Sequence, residues 1–241
     1  MKLIFSTVFV FQLWFSSAAL AAENVDLALV LAVDCSGSVN AKEYALQMDG
    51  IAAAFRDPAI IAAATSGPSH RIAVNLLTWG DPDDRKFASG WHIISSAKDG
   101  LEFAAIAAGF QRRMDGGTGI ANAIAYGVTL LNDGTVKGSR NVIDVSGDGK
   151  ESWELREPHF KLHHAQNLRA LAGVTVNGLA IETDDPELGL YYQKNVAAGP
   201  QNFVMVVGNY QQYAEAIRRK LLLEFNPNVA EAITQLPTRV Q

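Results

Sequence analysis

The sequence predicts an α/β protein built on one doubly wound, mainly parallel six-stranded sheet with helices on both faces. Three observations predict it. The run Leu27-Ala28-Leu29-Val30-Leu31-Ala32-Val33 carries no charge and is rich in Leu and Val, as a strand covered on both faces must be. Runs of similar character recur at Ile72 to Trp79, Asn141 to Ser146, Val174 to Ile181 and Phe203 to Val207. Between them lie stretches whose apolar residues return every three or four positions, and strands alternating with helices describe a Rossmann-like parallel sheet.

Taken in order, the first strand is followed by a helix through Tyr44, Met48, Ile51, Ala52 and Phe55, which Asp57-Pro58 closes or kinks. Ala62 to Pro68 reads as a turn. The second strand, Ile72 to Trp79, ends in Gly80-Asp81-Pro82-Asp83-Asp84, strong turn chemistry. Trp91 to Ile94 is a short edge strand, and Leu101 to Met114 a helix with Phe103, Ile106 and Phe110 on one stripe. Ile120, Ile124, Val128 and Leu131 mark the next helix. Asn141 to Ser146 is a strand, Pro158 opens a helix over His159 to Leu171, and Val174 to Ile181 is a further strand. A short helix through Tyr191-Tyr192, the strand Phe203 to Val207 and a helix through Tyr213, Ala214, Ile217 and Leu221 complete six strands and about six helices. The alternation is continuous to about residue 222, so residues 22–225 are expected to form one domain and residues 226–241 a loosely held tail. A domain of that size buries roughly 70% of the surface its unfolded chain exposes and folds without a disulfide or structural metal.

Residues 1–21 are expected to be a signal peptide: Met1-Lys2, an apolar stretch from Leu3 to Phe15, then the small-x-small site Ala19-Leu20-Ala21. The alternative is an uncleaved anchor. Export makes the mature chain periplasmic or secreted, with no further stretch able to span a membrane. A formal net charge of −5 argues against a nucleic-acid surface.

The chemistry gathers at element ends. Asp34-Cys35-Ser36-Gly37-Ser38 directly follows the first strand, at the carboxyl edge where open α/β sheets hold ligands. One carboxylate and two hydroxyls at alternate positions are hard oxygen donors suited to Mg²⁺, and Gly37 lets the backbone turn. The plainer reading is that these residues cap the next helix. Two further loops carry matching groups: Gly116-Gly117-Thr118-Gly119, and Ser146-Gly147-Asp148-Gly149 after another apolar strand.

Together D-x-S-x-S, then Thr, then Asp, resemble the metal-ion-dependent adhesion site of von Willebrand factor type A domains, and the likeness runs across nearly the whole mature chain. An uncharacterised bacterial family of exported type-A-like proteins is the nearest resemblance. It implies a metal site of Asp34, Ser36, Ser38, Thr118 and Asp148 holding Mg²⁺, with Mn²⁺ or Ca²⁺ as alternatives. It implies a protein partner that offers an Asp or Glu carboxylate, and no enzymatic activity. That family usually has a hydroxyl residue directly before the final Asp, where Gly147 stands here. The second hypothesis, a metal-dependent hydrolase using the same ion, would need a general base, and His70, His92, His159, His163 and His164 lie outside the three loops.

The remaining notable residues each have a plain reading. Thr118 also fits an N-cap. Gly117-x-Gly119 lacks the third glycine of a dinucleotide loop, Asn122 standing in its place. Cys35 should point away from the ligands and pack as a small apolar group. Asp81, Asp83 and Asp84 read as a solvated turn rather than a second cation site, and His159 with His163 as a solvated helix face rather than a zinc pair. Trp153 is a candidate partner contact or a cover for the sheet edge. Asp144, inside an apolar strand, must pair with a cation or face water.

Overall fold

The computed structural model describes residues 22–152 and 160–226. The expected signal peptide over residues 1–21, Trp153, Pro158 and His159, and the expected tail from Pro227 lie outside the described residues.

β1 (Glu23–Asp34) is the sheet's central strand, pairing in parallel with β2 (Ile72–Trp79) on one side and β5 (Val136–Gly147) on the other. β6 (Thr175–Ile181) and β7 (Val204–Val207) continue the parallel array. Two short antiparallel strands share the far edge of β2: β3 (Phe87–Ala88) and β4 (His92–Ile94). The order is β3-β2-β1-β5-β6-β7, with β4 beside β2, seven strands in all.

Side chains alternate across the sheet because a strand's period is two. Leu27, Leu29, Leu31, Val33 and Cys35 face one core, with α1 (Ala41–Arg56), α2 (Pro58–Ala64), α3 (Ala97–Gly109) and α7 (Tyr213–Phe225). Ala28, Val30 and Ala32 face the other, with α4 (Ile120–Leu131), α5 (Leu162–Leu171) and α6 (Leu188–Asn195). The apolar run is therefore covered on both faces, as its composition requires.

The six expected strands are all present, and β3 is an addition. Two residues long, it carries no periodic signal and exists through its pairing with Leu77 and Thr78. Pro58 does more than end α1: Asp57 caps the Ala59 amide and Pro58 opens a second helix where a turn was expected from Ala62. α3 begins four residues before Leu101 because Ser96 caps it through the Asp99 amide, and it stops at Gly109, leaving Phe110 to Gly119 as an irregular connection. α1 starts with a full capping box, Asn40 accepting from the Glu43 amide while Glu43 accepts from that of Asn40.

Candidate metal centre

The parallel register sets the site. Val33 is level with Ser146, so Asp34 at the end of β1 stands beside Gly147 at the end of β5, and the loops that follow both strands leave from the same edge. Asp34 is fully buried, and its Oδ1 accepts the Ser36 amide at 2.8 Å, a tight local turn that aims Ser36 back over the strand end. The main-chain carbonyl of Asp34 accepts from Gln47 Nε2 of α1 at 3.0 Å, and that of Ser36 from Arg112 Nη2 at 3.0 Å. The Gly37 amide donates to the carbonyl of Gly116 at 2.8 Å, tying the first loop to the second.

The hydroxyls of Ser36 and Ser38 lie 3.2 Å apart, and Ser38 Oγ donates to Asp148 Oδ1 at 2.7 Å. These two residues are 110 positions apart in sequence. Asp34 Oδ2 is buried without a hydrogen-bond partner. A buried carboxylate oxygen left unpaired is costly and points to a missing counter-charge. Burial and then the nearby Asp148 charge push the Asp34 carboxyl up to about 7, against the hydrogen bonds from Ser36.

Gly147 explains its own identity. A Cβ there would lie 2.7 Å from Asp34 Oδ2 and 2.8 Å from the hydroxyl of Tyr192, so the space a hydroxyl side chain would need is already taken. Tyr192 reaches in from α6, fully buried, its hydroxyl without a partner. Burial and then the Asp34 and Asp148 charges hold that phenol well above its usual range. Tyr210, in the 3-10 turn Tyr210–Gln212, is buried, and burial and then the Asp148 and Asp34 charges raise its titration.

Thr118 is brought to the same edge but is not an N-cap: α4 is capped at Gly119, with no side-chain bond. Instead the Glu151 carboxylate accepts the Ala121 amide at 2.8 Å, serving an orphan donor of the helix start from another loop. Ser152 grips Thr118 on both sides, its hydroxyl accepting the Thr118 amide at 3.2 Å and its amide donating to the Thr118 carbonyl at 2.9 Å. Neither bond uses the Thr118 hydroxyl. A Cβ on Gly149 would come within 3.2 Å of Thr118 Oγ1, which places the second and third loops in contact.

Asp34, Ser36, Ser38, Thr118 and Asp148 therefore share one rim, four of them buried and Ser38 exposed. Among the described residues no three His, Cys, Asp or Glu side chains gather into a metal cage. The cluster offers two carboxylates and three hydroxyls, an all-oxygen set that fits a hard divalent cation, and the unpaired Asp34 Oδ2 is an atom such a cation would satisfy.

The other singled-out residues lie elsewhere. Cys35 is buried on the opposite sheet face, its thiol donating to the Trp79 carbonyl at 3.3 Å, and burial first, then Asp34, pushes it up to about 12. That is an inert thiol. His70, His92 and His164 bond to Thr65, Ser89 and Lys161, and the His163 and His164 rings sit 3.9 Å apart on α5. Asp144 pairs with Lys220 of α7 at 2.9 Å, both wholly buried. Sequence reasoning missed Gln47, Arg112, Glu151, Ser152, Tyr192 and Tyr210, because each meets the site only through the tertiary fold. Glu151 and Ser152 had one signal, their position just after Asp148.

The sequence profile of the family described as Protein of unknown function (DUF1194) matches residues 24–229. No curated protein matches the chain. Among solved structures, the pilus adhesin SpaC of Lactobacillus rhamnosus GG is similar at a TM-score of 0.57 and 14% identity, over 83% of this chain and 31% of that one. Proximal thread matrix protein 1 of the mussel byssus, with a zinc-occupied MIDAS motif, gives 0.56 and 16%, over 85% and 46%. The PilB minor pilin of Streptococcus sanguinis gives 0.51 and 14%, over 89% and 64%. The chain spans about a third of the adhesin and under half of the thread protein. What it shares with all three is the fold, that of the von Willebrand factor type A domain. Among the described residues no helix is long and apolar enough to cross a membrane.

Proposed function

We propose that this chain, which belongs to that DUF1194 family, is a divalent-cation-dependent protein-binding module rather than an enzyme. The observation that carries the reading is that Asp34, Ser36, Ser38 and Asp148 are linked in series at hydrogen-bond distances while one oxygen of the buried Asp34 carboxylate has no hydrogen-bond partner. The zinc-occupied MIDAS motif of the thread protein, on the same fold, supports it.

On this reading Ser36, Ser38 and Thr118 contribute neutral hydroxyls, and Asp34 and Asp148 two negative charges. Bound there, Mg²⁺ would supply an electrophilic position able to accept an Asp or Glu carboxylate from a partner protein. The charge balance follows from the chain's own residues: two carboxylates against one divalent ion leave the centre near neutral, so an incoming carboxylate is not repelled. The Asp34 carboxylate is bonded by the Ser36 amide, and its main-chain carbonyl by Gln47. Ser38, exposed and bonded to Asp148, is the member at the solvent rim. With one shared carboxylate as its core, the contact depends on the surrounding surface for strength, and Trp153, beside Ser152, is proposed as part of that surface. The N-terminal segment is proposed as an export signal, which places the module in the periplasm or outside the cell.

The test is affinity capture from an envelope extract, run with Mg²⁺ and with chelator, beside the Asp34→Ala variant. The expected result is a partner retained only by the wild-type chain with Mg²⁺. Capture at full strength by Asp34→Ala would move the binding surface away from this rim. Metal-dependent hydrolysis of phosphate or ester substrates, lost in Asp148→Ala, would instead make the site an enzyme's.

A further inference from the structure

The acidic turn after β2 contains a cation of its own. Lys86 is almost fully buried, and its ammonium donates to the carbonyls of Asp81, Asp84 and Pro82 at 2.5, 2.8 and 3.2 Å. An ammonium has three donors and no acceptor, so all three are used. Burial pulls its pKa down, and the carboxylates of Asp84, Asp81 and Asp83 pull it back up. The chain reaches this position because β3 folds back on β2, with Phe87 level with Thr78, which returns Lys86 across the mouth of its own loop.

The loop that Lys86 closes is also one wall of the Thr118 segment. The Asp81 carboxylate accepts the Gly117 amide at 3.0 Å, the Gly80 carbonyl accepts that of Gly119 at 3.0 Å, and the Asp81 amide donates to the Asp115 carbonyl at 3.4 Å. Thr118 lies between the first two of these bonds. The fit has no slack: a Cβ on Gly119 would stand 2.8 Å from the Gly80 carbonyl and 3.0 Å from Pro82 N. At Gly116, φ is +82° and a Cβ would meet Asp81 at 3.0 Å. Both features demand glycine where the two loops touch.

We infer that Lys86 is a positioning residue for Thr118: by gathering three carbonyls of the Asp81–Asp84 turn onto one ammonium, it fixes the Gly80 and Asp81 acceptors that clamp Gly117 and Gly119 on either side of the threonine. Its bonds go to the main chain of the turn and not to the three carboxylates, so what it holds is the shape of the loop. The role given to Thr118 rests on the proposed metal site, but the clamp itself does not.

The experiment measures hydrogen exchange at the Gly117 and Gly119 amides in the metal-free protein, comparing wild type with Lys86→Met and the milder Lys86→Gln, whose amide keeps two donors. Lys86→Met should speed exchange at both glycines by about tenfold or more, the size expected for losing one to two kcal/mol of local hydrogen bonding. Lys86→Gln should fall between. The amides of Leu29 to Val33 in β1, which open only on global unfolding, report whether the fold survives; if Lys86→Met does not fold, Lys86→Gln alone decides. Unchanged exchange at Gly117 and Gly119 in a folded variant would overturn the inference. A parallel titration with Mn²⁺ should show weaker binding by about three- to tenfold in Lys86→Met. Should the wild type bind no Mn²⁺, the metal site fails, while the exchange rates still decide the role of Lys86.

Discussion

Asp34 shows how one residue can be placed against the stability of its own fold. It is buried, one of its oxygens has no hydrogen-bond partner, and burial and then the nearby Asp148 charge disfavour its ionised form. Asp34→Asn should therefore stabilise the metal-free protein, by roughly 1–3 kcal/mol in a denaturant titration at neutral pH, while removing any stabilisation by Mg²⁺. A variant less stable than wild type without metal would mean that the carboxylate has a partner in solution. At Gly147 the direction reverses: Gly147→Ala drives a methyl into Asp34 Oδ2 and the Tyr192 hydroxyl and should cost about 1–3 kcal/mol, read as a lowered melting temperature. At this scale the sequence was legible where ligands are contiguous. Asp34, Ser36 and Ser38 announce themselves by alternation, and Cys35 by lying between them. Lys86 and Tyr192 gave no such sign, because their meaning lies in what the fold sets against them.

Elements carry a second lesson, in α7. Its inner face is not purely apolar: Lys220 meets Asp144 at 2.9 Å and Glu224 at 3.2 Å, its ammonium lies 4.5 Å from the Phe203 ring centre, and Asn177 donates to Glu224 at 2.6 Å. Arg140 completes the group, donating to the Glu224 carbonyl at 2.9 Å from the half-buried rim. Burial pushes the Asp144 carboxyl up to about 6, and Lys220 opposes it. One ammonium thus serves two buried carboxylates, which makes the partners unequal. Lys220→Met should cost about 3–5 kcal/mol, since it leaves Asp144 without its cation and Glu224 with only Asn177 and the more distant Arg140, whereas Asp144→Asn leaves Lys220 with Glu224 and should cost clearly less. Equal losses in chemical denaturation would contradict that arrangement. The sequence placed Asp144 in a strand and left it either a cation or water as partner, and the fold supplies Lys220. Long elements were found because burial imposes a period on them, though α3 begins four residues and β5 five residues before the expected start. β3 and α2 were missed for opposite reasons, the one too short to have a period and the other built from small residues that also suit a turn.

For the whole molecule, parallel register is the organising fact. β1 and β5 end level with each other, so loops more than a hundred residues apart open on one edge and their oxygens meet there. The topology was legible from the order of strands and helices, and the three loops from their places at element ends. Their separation in space was not legible, since no sequence signal sets a register between distant strands. A cation bound only by the folded state stabilises it by mass action, about 2.7 kcal/mol at a hundredfold excess over Kd, so saturating Mg²⁺ should raise the melting temperature by roughly 5–10 °C over that in chelator. The central claim is that one hard cation is held jointly by the three loops. Diffraction from a crystal equilibrated with Mn²⁺, measured for the metal's anomalous signal, tests it most directly. One strong peak is expected, bounded by Asp34, Ser36, Ser38, Thr118 and Asp148; no peak there at saturating Mn²⁺, or a peak only elsewhere on the chain, would rule the shared site out.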